Sequence, residues 1–288
     1  MATTISYKTK NILIEEFSKK ENIEVIKKSN NFFNLFLKKK YADIYFHTGA
    51  LDENSIENIK NSKITIANTF ALMNEIIAKT KISHEKIKVI YPSINVEYKN
   101  AEEIKVKIFE ELQIDLKNKV IFFTAKNIKS SGVKEFLDIC SSLTYPDFKI
   151  IIAGEKKQIT ALQFQLSKYQ NLEDKIILLE DYENINDIFL ASDIFLLPTY
   201  NKSFSTNILK AMFFECVVFL SLENDAKEIL DVFASLDSPT DSSAAFKIDA
   251  ILQGENDLKQ IKKQNRELAL EFTLQNNLEK INHILENV

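Results

Sequence analysis

Lysines placed just after apolar runs are the residues in this sequence that suggest chemistry. Lys126 follows the run of residues 120–124 and leads into Lys129, Ser131 and Gly132. Lys202 and Lys210 follow the run of residues 194–197, eight positions apart, and bracket Ser203, Phe204, Ser205, Thr206 and Asn207. Ammonium groups gathered at strand ends can neutralise a phosphate or an acidic sugar, and a glycine beside them lets the backbone approach the anion. The competing reading is that the lysines are merely solvated surface. His47 closes the segment ADIYFH at residues 42–47. A neutral imidazole there can hydrogen-bond a hydroxyl or assist proton transfer, or it can be a satisfied structural histidine. His84 and His283 stand in polar surroundings and read as surface. Cys140 and Cys216 fall in helix-like and strand-like apolar contexts without metal-ligand spacing, so both are expected as buried thiols of a reducing compartment. The sequence holds no metal-ligand cluster, nucleophile elbow or P-loop, and neither a metal nor another cofactor is expected.

The elements that must position these groups are legible as alternating patterns. Residues 149–230 contain the apolar runs 150–154, 176–179, 194–198 and 217–220, separated by amphipathic stretches. Short runs rich in Ile, Val and Phe between helical patterns read as buried strands of a doubly wound parallel sheet. Ligands of such sheets sit beyond the carboxyl ends of the strands. Those ends are Gly154, residues 198–200 with Thr199, and Ser221.

The first hundred residues repeat the alternation in compressed form. Strands are expected at residues 4–7, 23–26, 42–47, 64–67 and 87–91, and helices at 11–19, 32–39, 55–60 and 70–79. Pro92 breaks the pattern, and a linker is expected near residues 93–100. Beyond it come a helix at 102–112, a strand at 120–124 and an amphipathic helix after Gly132. Residues 233–243, rich in Ser, Asp and Pro, read as a loop. Helices at 257–270 and 274–285 close the chain.

At 288 residues, the chain is long enough for two α/β domains. Its 37 basic and 41 acidic side chains leave a net charge of −4, which excludes a global attraction to nucleic acid. The N-terminus lacks the apolar core of a signal peptide, and no apolar run approaches the roughly 20 residues of a membrane span. A cytoplasmic protein is therefore expected, with at most peripheral contact at the inner face of the membrane. Only four glycines and one arginine, Arg266, occur. The abundance of Lys, Asn, Ile and Phe points to an AT-rich genome, in which lysine stands in for arginine.

The order of motifs in residues 149–230 resembles the nucleotide-binding half of retaining GT-B glycosyltransferases of the group 1, or family 4-like, kind. The resemblance is carried by Ala153-Gly154, Ala191-Ser192-Asp193, Leu197-Pro198-Thr199, Ser203-Phe204, Ala211-Met212 and Glu228-Ile229-Leu230. Residues 63–95 resemble the end of the family's first domain. The resemblance implies an α/β GT-B fold of two Rossmann-like domains whose parallel sheets face a central cleft. It implies a short acceptor-side domain at 1–97, a nucleotide-sugar-binding domain at 98–272, and a last helix at 273–288 that crosses back to the first domain.

The resemblance also assigns roles. Lys126 takes the place of the family's catalytic arginine, with His47 as its partner from the first domain. Lys129, Ser131, Gly132, Gly154, Thr199, Lys202, Ser203, Phe204, Ser205, Thr206, Asn207 and Lys210 fall on the donor site. The chain departs from the pattern where Ser131 replaces a lysine, where Lys202 and Lys210 replace two glutamates, and where Glu215 replaces a glycine. It also lacks a glycine-rich loop after the first strand. Glu215 is accordingly expected to bring a carboxylate to where a phosphate or ribose would approach. The implied activity is retaining sugar transfer, of hexosyltransferase type, from a nucleotide-sugar donor to a glycan, lipid-linked or protein acceptor in surface polysaccharide or lipopolysaccharide synthesis. The alternative is an inactive GT-B protein that partners or scaffolds an active glycosyltransferase.

Overall fold

A computed structural model describes residues 2–26, 40–230 and 232–286. The chain divides into two compact units, one made of Met1–Ser93 with Phe272–Val288 and the other of Ile94–Glu271.

The first unit begins with β1 (Thr3–Tyr7), α1 (Ile12–Phe17), β2 (Ile23–Val25), β3 (Ile44–His47), α2 (Glu53–Asn61), β4 (Ile64–Ala67), α3 (Phe70–Thr80) and β5 (Ile87–Val89). The helix expected at residues 32–39 lies outside the described residues. All pairings are parallel, in the order β2-β1-β3-β4-β5. Side chains alternate across a strand, so β3 serves two layers. Ile44 and Phe46 join Ile5, Ile14, Phe17 and Ile66 on one face, whereas Tyr45 joins Ile59, Leu72, Met73 and Ile76 on the other. Asn11, Asp52 and Thr69 cap α1, α2 and α3, each accepting from the N–H three residues on.

The second unit continues with α4 (Ala101–Glu111), β6 (Lys119–Thr124), α5 (Val133–Ser141), β7 (Phe148–Gly154), α6 (Lys156–Gln163), β8 (Ile176–Glu180) and α7 (Ile185–Ala191). It is completed by β9 (Ile194–Leu197), α8 (Thr206–Phe213), β10 (Val217–Ser221), β11 (Ser235–Leu236), α9 (Ala244–Gln253) and α10 (Glu255–Leu270). Its parallel sheet runs β11-β10-β9-β6-β7-β8. Every residue of β9 and β10 is buried, as helices on both faces of a parallel sheet require.

The stretch expected as a loop at 233–243 instead holds β11. Its Leu236 is buried and extends the sheet beside β10. Only two residues pair there, too few for alternation to show in the sequence. Asp193 of the Ala-Ser-Asp motif acts as a structural pin at the amino edge. Its carboxylate accepts from Val120 N at 2.9 Å and from Lys262 Nζ at 2.7 Å, with Lys105 at 3.9 Å. Burial opposes ionisation, but Lys262, Lys105 and the Val120 bond outweigh it and hold the carboxyl below its ordinary range.

The chain ends with α11 (Leu274–Leu285), which belongs to the first unit. Its Leu274 and Ile281 enter the core around Ile5 and Phe17, and Asn277 Nδ2 donates to Tyr91 O at 3.0 Å and to Ser93 Oγ at 2.8 Å. Cys140 and Cys216 are both buried free thiols, and burial pushes Cys216 up to about 12. No helix among the described residues is long and apolar enough to cross a membrane.

Candidate functional site

The strand order of the second sheet reverses direction between β6 and β9, because the chain builds outward one way through β7 and β8 and the other way through β10 and β11. Two βα connections diverge at such a switch point and leave a crevice beyond the carboxyl ends of the strands. Here those connections are residues 125–132, after β6, and residues 198–205, after β9. They carry most of the candidate residues.

Gly132 joins the two connections. It opens α5 in the left-handed region at φ 89°, and a Cβ there would stand 1.8 Å from Pro198 O. No other residue type fits this seat. Asn207 joins them again from α8, donating from Nδ2 to Thr124 O at 3.1 Å. Gly154 plays a packing part, since a Cβ there would lie 3.2 Å from Cγ2 of buried Ile128. Gln158 of α6 braces the first connection twice, accepting from Ile128 N at 2.8 Å and donating to Lys126 O at 3.0 Å.

The second connection is laced to the turn after β10. Ser221 Oγ donates to Thr199 O, Asn224 Nδ2 donates to Asn201 O at 2.8 Å and to Ser203 O at 2.7 Å, and Ser205 N donates to Asn224 Oδ1 at 3.4 Å. Buried Asn224 thus fixes the loop that carries Lys202 to Ser205. Sequence reasoning missed both Asn224 and Gln158; the only cue to Asn224 was a turn-forming Asn-Asp pair after a strand.

Neither α5 nor α8 has a side-chain cap, in contrast to the helices of the first unit. Val133 N is taken by Ile128 O and Ile208 N by Ser205 O, so the N–H groups of Lys134 and Glu135 in α5 and of Thr206 and Asn207 in α8 are the first-turn donors that an anion at the switch point would meet. Lys126, Lys129, Lys202, Ser203 and Thr206 are exposed, Ser205 and Asn207 are half-buried, and Ser131, Thr199 and Phe204 are buried. Lys210, one turn into α8, is half-buried, and burial lowers its proton affinity with no carboxylate opposing it.

Glu215 requires a correction. It does not approach the switch point but lies beyond the far end of α8, at the amino edge of the sheet. There it takes φ 62°, and its carboxylate is 3.2 Å from Arg266 Nη1. The Arg266 guanidinium in turn stacks 3.2 Å above the Tyr98 ring. A glycine at this position would serve the left-handed turn into β10 rather than a ligand.

His47 lies in the first unit, whose order β2-β1-β3-β4-β5 has its own switch point between β1 and β3. It ends β3 there, fully buried beside Tyr45, with ring centroids 5.8 Å apart. Neither ring nitrogen has a full hydrogen-bond partner among the described residues, although the Gly49 backbone is close enough to favour the protonated ring slightly. Burial first, and the Lys8 ammonium second, lower its pKa to about 4, so the imidazole is neutral at physiological pH. Lys8 is held in place by Asp52 at 2.9 Å.

Comparison with known proteins agrees with this architecture. The family model for glycosyl transferases group 1 matches residues 104–268. No curated protein matches the chain by sequence. Among solved structures, HepE of Anabaena in complex with UDP-glucose superposes with a TM-score of 0.71 at 18% identity, over 85% of this chain and 72% of HepE. A glycosyltransferase of Rickettsia africae gives a TM-score of 0.75 at 18% identity, over 99% and 90% of the two chains. WaaG, a glycosyltransferase involved in lipopolysaccharide biosynthesis, gives 0.67 at 11% identity, over 99% of both. At these identities the likeness is one of fold.

Proposed function

The chain belongs to the group 1 glycosyl transferases, and from that premise we propose that it moves a sugar from a nucleotide-activated donor, with the diphosphate bound at the β6/β9 switch point. The observation that carries this reading is the seating of Gly132 against Pro198, which brings the connection before α5 and the connection before α8 into van der Waals contact. Two uncapped helix N-termini and the ammonium groups of Lys126 and Lys129 then serve one anion. Charge that develops on the departing diphosphate is stabilised by these fixed donors, so the site needs no protein acid to protonate the leaving group. HepE is the structural relative that binds UDP and UDP-glucose, which supports a donor of this class.

Transfer with retention, of hexosyl type, is the proposed chemistry. The acceptor is a glycan or a lipid-linked or protein-bound group of a surface glycoconjugate, by analogy with WaaG. A lipid-linked acceptor would bring the protein to the membrane surface peripherally. His47, neutral and without a full hydrogen-bond partner among the described residues, stands at the first unit's own switch point and is the proposed group for an acceptor hydroxyl. The donor is a substrate, and no metal takes part in the proposal.

A second reading rests on Lys202 and Lys210, which offer only donors where hydroxyl groups of a bound nucleotide sugar need acceptors. On that reading the protein partners an active transferase without turning over donor itself. Calorimetric titration with a panel of nucleoside diphosphates and nucleotide sugars decides between the two. Saturable binding, with release of sugar in the presence of acceptor, is expected for the enzyme. Silence across the panel would overturn that reading in favour of the scaffold.

A further inference from the structure

The turn after β10 contains a carboxylate that nothing described so far explains. Glu223 lies between Ser221 and Asn224, the two residues that lace this turn to the connection after β9. Asp225 N adds a further tie to Lys202 O at 2.8 Å. The backbone on both sides of Glu223 is therefore fixed against the loop that carries Tyr200 to Ser205. Its Oε2 is buried and has no hydrogen-bond partner among the described residues. A buried carboxylate oxygen without a donor is costly, and it calls for one from outside the chain, a water or a ligand hydroxyl.

Tyr200 stands in the same place with the opposite character. The residue is 56% exposed although it is a large aromatic, and its hydroxyl lies 3.5 Å from Glu135 Oε1 in the first turn of α5. Burial raises its phenol pKa first, with Glu135 next and Glu223 also contributing, which places the Glu223 charge within electrostatic reach of the ring. An exposed aromatic face beside a carboxylate suits a hexose, whose C–H face stacks on the ring while its hydroxyls donate to the carboxylate.

We propose that Glu223 and Tyr200 form the subsite for the sugar of the donor, and that they select an uncharged, hydroxyl-bearing hexose over an acidic one. The proposal rests on the reading that a nucleotide sugar occupies the β6/β9 switch point. Glu223 then acts as the hydroxyl acceptor that Lys202 and Lys210 cannot supply. It touches the sugar and not the nucleotide, so its removal separates the two.

The experiment titrates the wild type, Glu223→Gln, Glu223→Ala and Tyr200→Ala with UDP, GDP and ADP. The glucose and glucuronic acid conjugates of whichever diphosphate binds are titrated next. The wild type is expected to bind the glucose conjugate more tightly than the glucuronic acid conjugate. Glu223→Ala and Tyr200→Ala are expected to weaken the glucose conjugate about tenfold or more while leaving the bare diphosphate within about twofold. Glu223→Gln is expected to narrow the preference against the glucuronic acid conjugate. An equal loss for conjugate and bare diphosphate would make Glu223 a support of the loop and overturn the proposal. Unchanged binding of the glucose conjugate would overturn it too, with the buried oxygen served by water alone. Absence of binding by any diphosphate to the wild type would bring down the donor reading itself, and this subsite with it. Thermal unfolding of each variant separates a lost contact from a lost fold.

Discussion

His47 illustrates how a single side chain can trade stability for readiness. Its folded pKa of about 4 lies below the ordinary 6.5, so the unfolded chain binds a proton more readily than the native state between those values. The stability that belongs to the neutral ring is full above pH 6.5 and is lost as pH falls toward 4. Lys8, Asp52 and Glu75 are the charged groups that bear on it. Because neither nitrogen has a full partner among the described residues, His47→Phe forfeits at most the weak contact with the Gly49 backbone. It is expected to raise the thermal midpoint at pH 5 and to flatten its dependence between pH 6.5 and 4, while transfer activity falls. Lys210 carries the second prediction at this scale. If its ammonium meets the diphosphate, Lys210→Glu should weaken diphosphate binding about tenfold or more in calorimetry, since a hydrogen bond between charged groups is worth about 1.5–3 kcal/mol. A gain in affinity would instead assign the position to a ribose hydroxyl. The types of these residues were legible in the sequence, but their surroundings were not. The burial of His47 and the partial burial of Lys210 follow from packing between residues far apart in the chain.

At the scale of elements, most of the doubly wound pattern could be read, because fully buried strands announce themselves as apolar runs. The two-residue β11 could not, whereas α9 buries Ala244, Ile248, Ile251 and Leu252 at helical spacing, a stripe that was legible but not read. The meeting of the connections after β6 and β9 was out of reach as well, because it depends on sheet order. Gly132 tests that meeting directly. With φ 89° and Pro198 O at 1.8 Å from a built Cβ, Gly132→Ala must move one connection away from the other. Strain of this kind costs about 1–3 kcal/mol before any clash is relieved. The variant is expected to lose diphosphate binding in calorimetry and to unfold at a lower denaturant concentration. Glu215 teaches the same lesson in reverse. A motif position that suggested ligand contact proves to be a backbone turn, held by an arginine 51 residues away.

For the whole molecule, the consequential feature is that the first unit is assembled from both ends of the chain. Removing residues 272–288 would strip Leu274, Ile281 and the two bonds of Asn277 from its core. Each buried Leu or Ile contributes about 1.5–3 kcal/mol, so the two together reach the lower end of a domain's ordinary stability of about 5–15 kcal/mol. Limited proteolysis of the truncated chain is expected to cut throughout residues 1–93 and to leave 94–271 as a protected fragment. Equal loss of both units would show that the second depends on the first. The same arrangement has a meaning in time. A ribosome adds about 5–20 residues each second, so the strands of the first unit emerge and then wait on the order of ten to thirty seconds for the helix that completes their core. Through that interval the second unit can already be folding, while the nascent first sheet exposes the apolar face that α11 will cover. A newborn chain of this protein is therefore expected to need chaperones along its first unit, on account of a segment that is translated much later.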